Sequence, residues 1–253
     1  MAKSSKSSKT LRNERQKVVE QMRAQQKAAE RRRGLTIVVV CAVVAVLIIG
    51  LAAFKPIKDW WDGREFRGKD VSEIGAAATV CVKPTTKPAT GQQQHLPDGS
   101  PITYPDSPPA FGKHYIDPDP MARKFYTAAD RPALGTLVHN EEHGYTILWY
   151  DDSVTGDDSQ MTQIRAIASK FAGTSDLRDK FKAVPWTADD GAPFPDGQHI
   201  AFTHWSVGGT STAASGQAKQ QGVWQYCSAV SGEALDSFMR TYPFSDSPEP
   251  GGA

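Results

Sequence analysis

Two of the six histidines in this chain stand four residues apart with two carboxylates between them, in Leu137-Val138-His139-Asn140-Glu141-Glu142-His143-Gly144-Tyr145. Imidazole nitrogen and carboxylate oxygen are the usual protein ligands of zinc and copper, and three or four must converge about 2.0–2.2 Å from an ion. Positions i and i+4 share one face of a helical turn, so His139 and His143 could hold an ion together. His95 and His114 precede them in a Pro/Gly-dense loop, and Glu142 could add an oxygen. The spacing predicts a zinc or copper site built from His95, His114, His139, His143 and Glu142. The competing reading leaves these histidines hydrogen-bonded to carbonyls in a structural or partner-binding module of the cell envelope.

The same segment fits His-x-x-Glu-His, the inverted zinc-peptidase pattern. That chemistry needs two histidines and a base on a stable helix, plus a distant third ligand. Gly135 and Gly144 confine a helix here to about two turns, and an apolar run follows at once. A metal-dependent hydrolase is therefore the lesser alternative. The sequence contains neither a phosphate-binding glycine loop nor a Gly-x-Ser-x-Gly elbow. His204, in Phe202-Thr203-His204-Trp205, falls on an expected strand and reads as packing.

The elements that must position these side chains are legible in outline. Tyr145 to Tyr150 has strand composition, bounded by Gly144 and Asp151-Asp152. His199 to Val207 and Val223 to Cys227 read as further strands. Ile164, Ile167, Ala168 and Phe171 repeat at helical spacing over 161–171, with Asp157 or Asp158 as cap. Ser231 opens a last helix, with Leu235, Phe238, Met239 and Tyr242 on one face. Met121 to Tyr126 suggests a helical turn, and Ile102 to Tyr104 a short extended piece. The expectation is an α+β fold: a small mixed domain over 91–245 with long Pro/Gly-rich loops, and a disordered tail over 246–253.

Charge places that domain. Residues 1–33 carry eleven Lys/Arg against three acids, whereas residues 55–253 carry 18 bases against 25 acids. Between them, residues 34–54 hold no charge and about 20 apolar positions, enough at about 1.5 Å each to cross a hydrocarbon core of ~30 Å. A cleaved signal peptide would have a shorter basic region, a shorter apolar run and a small-x-small cleavage site. The basic side of a span faces the cytoplasm, so the chain reads as a single-pass membrane protein with its C-terminal domain outside. The arm over 1–33 is expected to be disordered at its Ser/Lys start and helix-favouring from Leu11. Its cations fit anionic lipid headgroups better than nucleic acid. Residues 55–90 read as an interfacial collar, with Trp60 and Trp61 at headgroup depth, and then a linker. In that compartment Cys81 and Cys227 are expected to form a disulfide, while Cys41 lies within the span.

The run His95…Tyr104…Pro108-Pro109-x-x-Gly112-x-His114-Tyr115…Leu137-Val138-His139-Asn140-x-Glu142-His143-Gly144 resembles an uncharacterised bacterial family, catalogued as domain of unknown function 3105. The resemblance covers about residues 90–245, with the Ala-Phe-Thr-His-Trp strand and the closing Ser-Pro-Glu. It implies a single-span membrane protein and carries no reaction. Glu141 stands where an apolar residue is more usual, and His204 where a small one is. All four site histidines fall inside the shared pattern.

Overall fold

The computed structural model describes residues 4–89, 93–209 and 219–252, and divides into two units, Met1–Trp60 and Trp61–Ala253. The first consists of helix α1 (Ser4–Asp62), whose last residues enter the second unit. Leu35, Ile37, Leu47 and Ile49 on α1 all face outward. The Ser/Lys stretch predicted to lack order is helical from Ser4. Once a helix is nucleated, each added residue gains a hydrogen bond, and Lys and Arg are good helix formers. Thr90, Gly91, Ala253 and the side chain of Trp60 lie outside what is described. Trp61 is exposed, with the Arg64 guanidinium 3.7 Å over its ring.

The second unit is built on a five-stranded sheet. In chain order its strands are β1 (Thr85–Pro88), β4 (Thr146–Tyr150), β5 (Phe181–Pro185), β6 (Ile200–Ser206) and β7 (Gln221–Cys227), arranged β1-β7-β6-β4-β5. β4 and β5 are parallel, and every other pair is antiparallel. A separate two-residue parallel pair joins β2 (His95–Leu96) to β3 (His114–Tyr115). The helices are α2 (Leu134–Glu142), α3 (Asp152–Thr155), α4 (Asp158–Lys170) and α5 (Gly232–Thr241). The architecture is α+β, as the sequence predicts.

Strand alternation divides the core. Leu148, Tyr150, Ile200, Phe202 and Phe181 project to one face, against Ile164 and Ile167 of α4 and Leu235 and Phe238 of α5. Ile147, Trp149, Ala201 and Val184 project to the other, with Leu137 of α2. Because both faces of β4 are covered, all five of its residues are buried. Caps start the helices at the expected places. Asp157 accepts the Ser159 and Gln160 N–H groups, and Ser231 Oγ accepts from Ala234 N.

The central segments differ from the sequence reading in detail. β5 is not apparent in the sequence because Lys180 and Lys182 interrupt its apolar run, yet both are buried. Lys182 Nζ pairs with Asp119 and reaches Pro120 O at 2.9 Å, while Lys180 Nζ donates to three carbonyls. Met121 to Tyr126 is not helical: Phe125 bridges to Ala183. Ile102 to Tyr104 forms no strand.

The boundaries shift as well. Residues 61–89 belong to the globular unit rather than to a collar and linker. Three short 3-10 helices cover 63–66, 71–73 and 78–80, and β1 hydrogen-bonds to β7 as an edge strand. Ile74 is buried in the core, and Cys81 stands at disulfide distance from Cys227, with sulfurs 2.05 Å apart. The predicted tail is also part of the fold. Asp246 and Ser247 are buried, Asp246 accepts from Ser206 Oγ and from the Val207 and Gly209 N–H groups, and Glu249 N donates to Glu142 O. Proline and glycine make this segment irregular, but its backbone is held by hydrogen bonds to other elements.

Candidate metal centre

The two loop histidines are brought together by the smallest element in the fold. β2 and β3 pair in parallel with His95 opposite His114. Residues in register on a parallel pair project to the same side, and the two rings stand 4.4 Å apart, edge to face. His114 is fully buried, whereas the His95 side chain is 41% exposed. The Pro-rich loop that carries them is thereby tied into a defined shape, although most of it lacks regular structure.

Helix α2 supplies the rest. It is short, nine residues, with Gly135 inside its first turn rather than before it, and it ends at the C-cap His143, followed by Gly144. Gly144 has φ +90°, and a Cβ there would stand 2.2 Å from Phe244 O, so the turn into β4 requires glycine twice over. His139 projects from the last full turn towards the histidine pair, with ring centroids 4.9 Å from both His95 and His114.

Hydrogen bonds to the outer nitrogens fix how these rings present themselves. His139 Nδ1 donates to Tyr115 O at 2.7 Å, and His114 Nδ1 donates to Gly112 O at 2.8 Å. Each carbonyl selects the Nδ1–H tautomer and turns the Nε2 lone pair inward, the arrangement that ligating histidines use. Burial, His143, His114 and His95 push the His139 imidazole down to about 4 against the opposing pull of Tyr115 O, so it is neutral near pH 7.

Glu142 closes the group. Its Oε1 accepts from Gln93 Nε2 at 3.0 Å, and Gln93 Oε1 in turn accepts from Gln220 Nε2. Its Oε2 lies 2.9 Å from His114 Nε2 and 3.7 Å from His95 Nε2. Burial would raise this carboxyl, but His114, Gln93 and His95 hold it below its ordinary value. At 2.9 Å the His114 Nε2–Glu142 Oε2 pair is within hydrogen-bond distance, but with its Nδ1–H given to Gly112 O a neutral His114 has only a lone pair to present there. His114 Nε2 and Glu142 Oε2 are both buried without a hydrogen-bond partner, a condition that costs about 1–3 kcal/mol per group unless something satisfies it. One ligand atom each from His95, His114, His139 and Glu142 lies within 4.8 Å of the other three.

His143, the fifth predicted residue, falls outside that four-residue group. Its Nε2 is 3.0 Å from His139 Nε2, but it groups with Glu142 and Glu249. The i, i+4 pair thus has its two Nε2 atoms close together but falls into two different groups of potential ligands. Position i+4 here is the C-cap, where the helix ends and the side chain turns towards the C-terminal strap.

Gln93, Glu249 and Lys180 are the site residues that sequence reasoning missed. Glu249 is in the Ser-Pro-Glu of the shared pattern, the one signal that could have singled it out. Glu141 points away into the core, fully buried with both oxygens unsatisfied. Burial pushes its carboxyl well above the ordinary value, with a Thr203 contact offsetting part of this. His204 is fully buried on β6, its Nε2 donating to Asp246 O at 2.8 Å, and it packs as expected. A cleft of about 460 Å³ beside the Pro-rich loop, between Lys87, Tyr104, Phe111 and Lys113, includes none of the five predicted ligands.

Comparison with known proteins adds one relationship. A family model described as protein of unknown function (DUF3105) matches residues 95–253. No curated protein and no solved structure matches the chain.

Proposed function

The chain belongs to the DUF3105 family, and from that premise we propose a membrane-anchored protein whose extracytoplasmic domain binds a transition metal, zinc or copper. His95, His114, His139 and Glu142 are the ligands. One observation carries the reading: four potential ligands from three elements converge, and two of their atoms are buried, unsatisfied and turned towards the common centre. Three imidazoles and one carboxylate make a closed tetrahedral set of the kind zinc prefers, and copper shares the taste for imidazole. Gly112 O, Tyr115 O and Gln93 hold the ligands in orientation. Anchoring is supported by the uncharged apolar part of α1 and the basic residues before it. The Cys81–Cys227 pair suits an oxidising compartment.

Elemental analysis and zinc titration of the full-length protein in detergent test this. Wild type should bind stoichiometric metal. His114→Ala should weaken binding by more than about 100-fold, beyond what loss of an orienting neighbour costs. His95→Ala, at a partly exposed ring, should do likewise without disturbing the core. A folded wild type that takes up no zinc or copper overturns the proposal.

A further inference from the structure

We propose that the centre is dinuclear: Glu142 bridges the ion described above to a second one, held by His143 and Glu249. This rests on the metal-binding reading and extends it.

The observations begin with His143. It lies four residues from His139, with its Nε2 3.0 Å from His139 Nε2, yet it is not one of the four residues whose ligand atoms all lie within 4.8 Å of one another. Instead His143, Glu142 and Glu249 offer a second set within the same 4.8 Å limit. His143 Nε2 stands 3.6 Å from Glu249 Oε2, close to the ~3.4 Å separation of two ligand atoms bound at about 2.1 Å with tetrahedral angles. The two sets have one member in common, Glu142. A carboxylate has two oxygens and about four lone-pair positions, so Glu142 keeps capacity on both oxygens after accepting from Gln93. A shared carboxylate suits ions about 3.5–4 Å apart, the usual spacing in two-metal sites.

The C-terminal strap delivers Glu249 deliberately. Glu249 N donates to Glu142 O at 2.9 Å, which sets the third ligand beside the bridge. Lys180 Nζ donates to His143 O, Pro250 O and Gly252 O, clamping the strap to the end of α2. Gly252 lies flat against the His143 imidazole, where a Cβ would stand 2.4 Å from ring carbons. These contacts seat residues 249–252 against Glu142 and the C-cap His143, the two residues that would face the second ion.

The two positions differ in chemistry. The first has three nitrogens and one oxygen in a largely buried setting. The second has one nitrogen and two carboxylates, and the Glu249 side chain is 54% exposed. Three protein ligands at the rim leave a coordination position for water, the pattern of exchangeable or reactive sites rather than closed structural ones. The second ion should therefore be the weaker and faster exchanging of the two.

Zinc titration of the full-length protein in detergent, followed by calorimetry and elemental analysis, tests the inference. Wild type should bind two equivalents in two affinity classes. Glu249→Gln changes a partly exposed side chain whose only described contact is His143. It should abolish the weaker class, leave the tighter one within about threefold, and leave the thermal midpoint of the metal-free protein unchanged. Gly252→Ala, which displaces the His143 ring, should weaken the same class. One equivalent in wild type, unaltered by Glu249→Gln, overturns the dinuclear centre and leaves the mononuclear reading intact. One equivalent lost in Glu249→Gln and His114→Ala alike shows a single mixed site and overturns it too. No zinc at all removes both proposals.

Discussion

At the scale of single residues, the fold accepts polar groups in its interior under different conditions. His204 is buried with a carbonyl partner, and Lys182 with a carboxylate and a carbonyl. Glu141 has neither: burial disfavours its charge, no well-formed hydrogen bond reaches its oxygens, and Thr203 offsets only part of the cost. Even a neutral carboxyl left without partners costs about 1–3 kcal/mol. Glu141→Leu, which roughly conserves volume, should therefore raise unfolding free energy by about 1–3 kcal/mol in urea melts of the metal-free protein. Unchanged or lower stability would mean that Glu141 has a partner in solution. Glu142, its chain neighbour, is a different case: its unsatisfied oxygen faces other ligand atoms rather than hydrocarbon.

At the scale of elements, the site depends on connections between segments far apart in the chain. The edge strand β1 and the 3-10 turns before it are held to the sheet by pairing with β7 and by the Cys81–Cys227 link, whose partners are 146 residues apart. Closing so long a loop lowers the entropy of the unfolded chain by an amount worth about 5 kcal/mol in a chain-entropy treatment, less any strain. The double substitution Cys81→Ser, Cys227→Ser should lower stability by about 3–5 kcal/mol in denaturant melts. A reducing agent should produce the same loss in wild type. Stability that is insensitive to both would show that the sulfurs are not bonded in solution.

At the scale of the whole molecule, buried titratable groups set how stability varies with pH. Burial pushes the Lys180 amine down to about 8, and burial with the Lys182 charge does the same to Lys124 against Asp179. Both have an ordinary value of 10.5. From about pH 8 upward the folded protein sheds protons that the unfolded chain retains until about 10.5, so stability rises across that window. Burial raises Tyr104, Tyr126, Tyr145, Tyr150 and Tyr226 above their ordinary 10.0. Past pH 10 the unfolded chain releases phenolic protons that the fold holds, and stability falls again. The thermal midpoint should climb from pH 8 and turn over near pH 10. A steady decline from pH 8 would contradict buried amines at Lys124 and Lys180.

The sequence by itself determined what local physics fixes. An uncharged apolar run beside a basic arm gives a long exposed helix, whatever the rest of the chain does. Period and capping chemistry placed α4 and α5 on the right residues, with Asp157 and Ser231 at their starts. Gly144 stopped α2 just after its C-cap, and the i, i+4 spacing put His139 and His143 at its end, although the helix starts one residue before Gly135 rather than after it. Tertiary structure decided everything that depends on contacts distant in sequence. β5 is a strand because Asp119 and several carbonyls satisfy lysines that break its apolar pattern. The segment after 245 is held because Asp246 and the carbonyls of Pro250 and Gly252 find donors on Lys180 just before β5, on β6 and on the loop after β6. Composition predicted disorder there, since proline and glycine preclude regular elements but say nothing about irregular backbone pinned from outside. The division of the histidines is likewise a tertiary result. Spacing brings His139 and His143 together, and their Nε2 atoms are 3.0 Å apart, but the register of a two-residue parallel pair sets His95 and His114 beside the first, and the path of the strap sets Glu249 beside the second.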